Sequence, residues 1–121
     1  MSEPDPRIMM LLEDIHTSAW RIVNCLRNET LEGFTSKKGI DAQDIVARRL
    51  TIIGEAAASL LRKYPEFCDQ HPEIPLRQAR GMRNALVHEY NQIAWQLVWK
   101  TANEELPELI DAIAPLLYEK L

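Results

Sequence analysis

Apolar side chains recur near the start of the chain at steps of three and four residues: Ile8, Leu11, Leu12, Ile15, Ala19, Ile22, Val23 and Leu26. An α-helix turns once every 3.6 residues or so, so this spacing lays them in one stripe and predicts an amphipathic helix with one buried face. Asp5 and Pro6 mark its start: the carboxylate can accept a bond from an unpaired backbone N–H, and proline suits the first helical position. The rhythm breaks over "NETLEGFTSKKGI", which reads as a loop with a short turn of helix around Leu31 to Phe34. A second helix is predicted from an Asp41 N-cap to about Lys63, ahead of Pro65. Ile45, Ile52, Ile53, Ala56, Leu60 and Leu61 form its apolar face. Gly54 within it costs roughly 1 kcal/mol relative to alanine, and a close approach of another helix is the expected compensation.

The stretch "YPEFCDQHPEIP" carries Pro65, Pro72 and Pro75 and reads as a loop. A third helix opens near Pro75. A fourth runs from about Ile93 to the C-terminus, with a kink or a break expected at Pro107. No internal repeat, linker or low-complexity tract interrupts the pattern. The expectation is an all-α protein, an antiparallel four-helix bundle built as a single domain over residues 1–121.

Composition adds bounds more than direction. Apolar residues make up 46% and charged residues 26%, ordinary for a globular protein. No apolar run is long enough to cross a bilayer. The start "MSEPDPRIMM" lacks the basic end and apolar stretch of a signal peptide, so a cytoplasmic location is expected. Cys25 and Cys68 lie far apart without a CxxC, which is neither a disulfide framework nor a zinc pattern. Cys25 falls in the first helical stripe and reads as a small buried hydrophobe. The net charge is −4, so any nucleic-acid role must rest on a local cationic patch.

Candidate chemistry concentrates in "GMRNALVHEYNQ", Gly81 to Gln92. On a straight helix Ala79, Met82 and Leu86 share the buried arc, whereas Arg80, Asn84 and His88 line up along an opposite face. Arg83 and His88 then point about 140° apart. Either the helix ends or bends before His88, or two chains pair and each contributes groups to a shared cleft. The second arrangement is favoured and predicts a homodimer. Histidine can give or take a proton near neutral pH, and arginine presents a planar cationic fork that matches phosphate oxygens. RNA cleavage can use these groups, although an arginine, a histidine and a tyrosine at this spacing also occur together on the polar face of ordinary helices. No carboxylate–histidine cluster accompanies them, so a site without metal or cofactor is expected. Arg77 and Arg80 read first as a solvated face, and as candidates to hold substrate phosphates second. His16 and His71 read as surface residues without partners. Trp20, Trp95 and Trp99 read as core or dimer-interface anchors ahead of base-stacking platforms, and Tyr64 as helix-end packing.

The wider strings "DIVARRLTIIGEAAASLLRKYPE", "IPLRQARGMRNALVHEYNQI" and "WQLVWKTANEELPELI" resemble, in this order, the HepT-like family of the HEPN superfamily of nucleases. The resemblance runs from about Asp41 to Ile110. It includes the family signature of arginine, four residues, histidine, one residue, tyrosine as Arg83, His88 and Tyr90. It implies an all-α, dimeric, metal-independent endoribonuclease, the toxin of a two-gene toxin–antitoxin module, with a composite site at the dimer interface. By the same resemblance Arg83 and His88 are the catalytic pair and Asn84 assists. Tyr90 matches the tyrosine to which a minimal nucleotidyltransferase antitoxin adds AMP, placing negative charge and bulk beside a site for RNA phosphates. The "GEAA" element is also family-like, and Glu55 either pairs with an arginine of the third helix or makes a plain helix–helix contact. The N-terminal 40 residues match weakly, and the proline-rich loop is longer than in many relatives. Two other readings stay open: a non-catalytic module that binds a nucleotide or the nucleotidyltransferase, and a structural dimerisation domain.

Overall fold

The first apolar stripe forms helix α1, Pro6–Leu26, and the Asp5 carboxylate caps it by accepting from the Arg7 backbone N–H at 2.8 Å. A computed structural model describes residues 5–86 and 93–118 of the chain. Ile8, Leu12, Ile15, Ala19, Ile22 and Leu26 are buried along α1, as the stripe predicts. The short turn around Leu31 is helix α2, Leu31–Thr35, capped by the Thr30 hydroxyl, and a 3-10 turn follows at Lys37–Gly39. Phe34 of α2 is fully buried. Its ring lies 5.6 Å from the Trp95 ring, edge-on, and 5.6 Å from the Trp99 ring, tilted. Trp95 and Trp99 are therefore core anchors, whereas Trp20 is 49% exposed.

Helix α3, Ile40–Lys63, begins one residue ahead of the predicted cap. Gly39 holds the cap position and Asp41 lies in the first turn. Position 39 has room only for glycine: a Cβ there would overlap the Phe34 carbonyl oxygen and lie 2.7 Å from that of Gly33. The buried face also departs from the expected one. Ala42, Val46, Leu50, Ile53, Ala56, Ala57 and Leu60 are buried, but Ile45 is 45% exposed. Because α3 packs against α1 on one side and against the segment after Pro75 on another, its buried arc is wide and includes small residues.

The proline-rich stretch is more ordered than expected. Pro65 serves as the first residue of helix α4, Pro65–Gln70, where its missing N–H costs nothing, and Phe67 anchors it. Helix α5, Leu76–Gly81, is followed by a 3-10 turn at Met82–Ala85. The predicted last helix is broken in two, α6 (Trp95–Glu104) and α7 (Leu106–Tyr118). Pro107 stands in the first turn of α7, where its ring is tolerated. Pro115 lies inside α7. The result is an all-α bundle with no strand among the described residues, in which α1 packs on α3 and α7. No described helix is long and apolar enough to cross a membrane.

Three smaller expectations need correction. Cys25 is half-buried, and burial pushes its thiol pKa up. His71 has partners: its ring lies tilted against that of Phe67, centroids 4.6 Å apart, and its Nδ1 lies 3.0 Å from Glu73 Oε2. His16 is half-buried, edge-to-face with Tyr118 at 5.4 Å. Tyr64 packs against the core at the end of α3, as expected.

Burial lowers the His16 pKa, with Glu13 opposing. As pH falls below about 6.5 the unfolded chain takes up this proton before the folded one does. Stability should drop through that window and level out below the folded pKa. His16→Gln is expected to flatten the fall in melting temperature between about pH 7 and pH 5. An equally steep fall in the variant would assign the pH dependence to other groups.

Candidate active site

Pro75 stands at the head of α5, and Leu76 and Ala79 bury one side of the helix against α3. That leaves Arg77 and Arg80 exposed. Past Gly81 the chain tightens into the 3-10 turn, which keeps Met82 buried and presents Arg83 and Asn84 to solvent. The third helix was expected to carry the whole motif. It stops being α-helical before Arg83, and a 3-10 turn advances about 120° per residue instead of 100°. The straight-helix angle between Arg83 and His88 therefore does not apply. His88 and Tyr90 lie outside the described residues.

Arg83 is seated by Gly54 of α3. A Cβ placed on that glycine would come within 3.1 Å of Arg83 Cβ, 3.2 Å of its Cγ and 3.3 Å of the Arg80 carbonyl oxygen. The missing side chain is what lets α3 reach the stem of Arg83, while the residue as a whole stays exposed. Close approach was expected at Gly54; its partner was not legible, because nothing in the local spacing couples two residues so distant along the chain. Glu55, considered as the partner of an arginine in this segment, is exposed and forms no ion pair among the described residues. The neighbouring glycine makes the contact instead.

The remaining candidates diverge. Asn84 lines a shallow groove of about 320 Å³ with Gln78, Met82, Leu97, Thr101 and Glu105, between the turn and α6. Arg77 borders a different cleft of about 390 Å³, with Leu61, Cys68, Pro72 and Ile74. Gln78 touches both. Arg83 and Asn84 thus sit next to each other on the turn while Arg77 serves a separate surface. Burial, reinforced by Asp69, pushes the Cys68 thiol pKa up, with Arg77 opposing. A raised pKa disfavours the thiolate, the form in which a cysteine acts as a nucleophile. Among the described residues no three of His, Cys, Asp and Glu gather to hold a metal ion.

The sequence matches the ribonuclease HepT-like family over residues 15–116. A protein of Methanocaldococcus jannaschii, provisionally named an RNase, is 35% identical over 107 residues, 88% of this chain and 84% of its own. A Thermococcus cleftensis protein, provisionally named a ribonuclease HepT, is 36% identical over 98 residues, 81% of this chain and 84% of its own. A Caldanaerobacter subterraneus protein, also provisionally an RNase, is 34% identical over 92 residues, 69% of this chain and 80% of its own. No solved structure matches. With its match covering most of the molecule, from the middle of α1 to near the end of α7, the chain belongs to the ribonuclease HepT-like family.

Proposed function

We propose that this member of a ribonuclease family is an endoribonuclease toxin that cuts RNA by general acid–base chemistry in a homodimer. The observation that carries the reading is Arg83, exposed on a tight turn yet seated at its stem by Gly54, within a sequence of that family. One His88 takes the proton of the ribose 2′-hydroxyl, whose oxygen attacks phosphorus. The P–O5′ bond breaks, and the His88 of the second copy returns a proton to the leaving oxygen. The products are a 2′,3′-cyclic phosphate and a 5′-hydroxyl. Arg83 stabilises the charge growing on the phosphoryl oxygens, Asn84 positions the substrate, and Arg80 and Arg77 hold flanking phosphates. Tyr90 is the modification site: AMP added there by a nucleotidyltransferase antitoxin brings negative charge where RNA phosphates must enter, and silences the toxin.

Total RNA incubated with the protein in chelator tests this, with Arg83→Ala and His88→Ala alongside. Cleavage to cyclic-phosphate ends by wild type alone is expected; equal cleavage by a purified His88→Ala protein would defeat the reading. Gly54→Ala probes the seat of Arg83. Alanine favours the helix by about 1 kcal/mol, but its Cβ must push the Arg83 stem aside by a few tenths of an ångström. Cleavage should fall severalfold or more with little change in melting temperature. An unchanged rate would show that Arg83 needs no such support.

A further inference from the structure

Away from the Arg83 turn, α1, α3 and α7 share an unusual outer surface. Two adjoining depressions lie there. One, of about 540 Å³, is lined by Trp20, Arg21 and Tyr118 among others. The other, of about 400 Å³, is lined by Arg21, Ile45, Arg48 and Arg49 among others. Arg21 and Asn24 belong to both, so the surface is continuous. Trp20 is 49% exposed and Tyr118 48%, so two large aromatic rings present part of their surface to solvent here. No carboxylate among the described residues lines either depression. Among the described residues none of the three arginines is in an ion pair, Asp44 one turn from Arg48 included. Arg49 Nη1 donates to the buried Ser18 hydroxyl at 3.4 Å. In a chain of net charge −4 this is a local cationic patch interleaved with aromatic rings.

We propose that this face is a platform for single-stranded RNA, in which Trp20 and Tyr118 stack on bases while Arg21 and Arg48 hold backbone phosphates. The inference rests on the ribonuclease reading, which supplies the polyanion. Every base has a face that can stack on an aromatic ring, and a guanidinium fork fits phosphate oxygens. A second copy of the chain fits less well, because a twofold axis through the patch would set arginines against arginines. The platform and the active turn share α3 but use different sides of it. Arg49 reaches α1, whereas Gly54, about 8 Å further along the axis, receives Arg83. RNA bound on the platform would thus be held near the reacting turn without occupying it.

Fluorescence anisotropy with a labelled 2′-O-methyl oligouridine tests this, since the blocked 2′-oxygen prevents cleavage. Arg21→Gln combined with Arg48→Gln should raise Kd at least tenfold. It should also make the slope of log K against log salt shallower by about 1.4, since each phosphate contact on a single strand contributes about 0.7. Trp20→Leu should weaken binding with no change of slope. Arg83→Ala should lose cleavage of ordinary RNA whatever happens at the platform. Wild-type affinity and slope in the double variant would overturn the platform while leaving the nuclease reading intact. Weaker binding in both platform variants of a protein that cuts no RNA would sustain the platform and sink the nuclease. A fall in oligomer mass for Trp20→Leu, with RNA affinity unchanged, would overturn it in favour of a protein interface.

Discussion

Arg83→Ala protein, folded and free of other nucleases, should cleave RNA about 10² to 10³ times more slowly than wild type in single-turnover assays. The proposed mechanism develops charge on the phosphoryl oxygens as the 2′-oxygen attacks, and a permanent cation placed there acts mainly in the transition state. The loss should therefore fall on kcat more than on KM. Arg83→Lys should recover part of the rate, since a compact ammonium keeps the charge but not the two-pronged geometry. Because Arg83 is exposed and only its stem touches Gly54, removing the guanidinium should leave the melting temperature nearly unchanged. A rate equal to wild type in a well-folded variant would remove Arg83 from the reaction. A loss of rate that tracked a loss of folded protein would assign it a structural role instead.

The largest expected effect on stability is at Phe34. Its ring is fully buried between Trp95 and Trp99, so a residue on a short helix ties the α1–α3 connection to the start of α6. Truncating a buried phenylalanine to alanine costs about 3–5 kcal/mol, through lost transfer energy and the cavity left behind. That is a large part of the roughly 5–15 kcal/mol that holds an ordinary domain together. Phe34→Ala should shift the urea midpoint strongly downward, and Phe34→Leu should recover part of it. Trp20→Leu, at an exposed position, should do little to the same midpoint. A loss below about 1 kcal/mol at Phe34 would mean that the two tryptophans close the gap by themselves.

Helix α1 was legible almost to the residue, because its start, stripe and end are all local: a capping carboxylate, a proline, a three-and-four rhythm. The break before Pro107 was legible for the same reason. The buried face of α3 was less so. Ile45 looks like a core residue by hydropathy, yet it is 45% exposed, whereas Gly54 and Ala57 are buried. Helix α4 was hidden because prolines mark loops in sequence, although Pro65 fits the first turn of a helix as well. At the site, Arg83 and Asn84 were legible as candidates from residue type and from the family signature. Their arrangement was not, since the wheel assumed an α-helix through residues that form a 3-10 turn.

Alone, the sequence determined the all-α class, the boundaries of its long helices and the chemical character of the segment around Arg83. Those features follow from the period of the backbone helix and from side-chain chemistry, neither of which needs a distant residue. Tertiary structure decided which side of α3 is buried, that Gly54 seats Arg83, that Arg77 and Asn84 serve different clefts, and that Trp20 gathers with Arg21 and Arg48 on an open face. Each of those depends on where one helix crosses another, and crossing is set by the packing of whole surfaces rather than by the order of residues along any one of them.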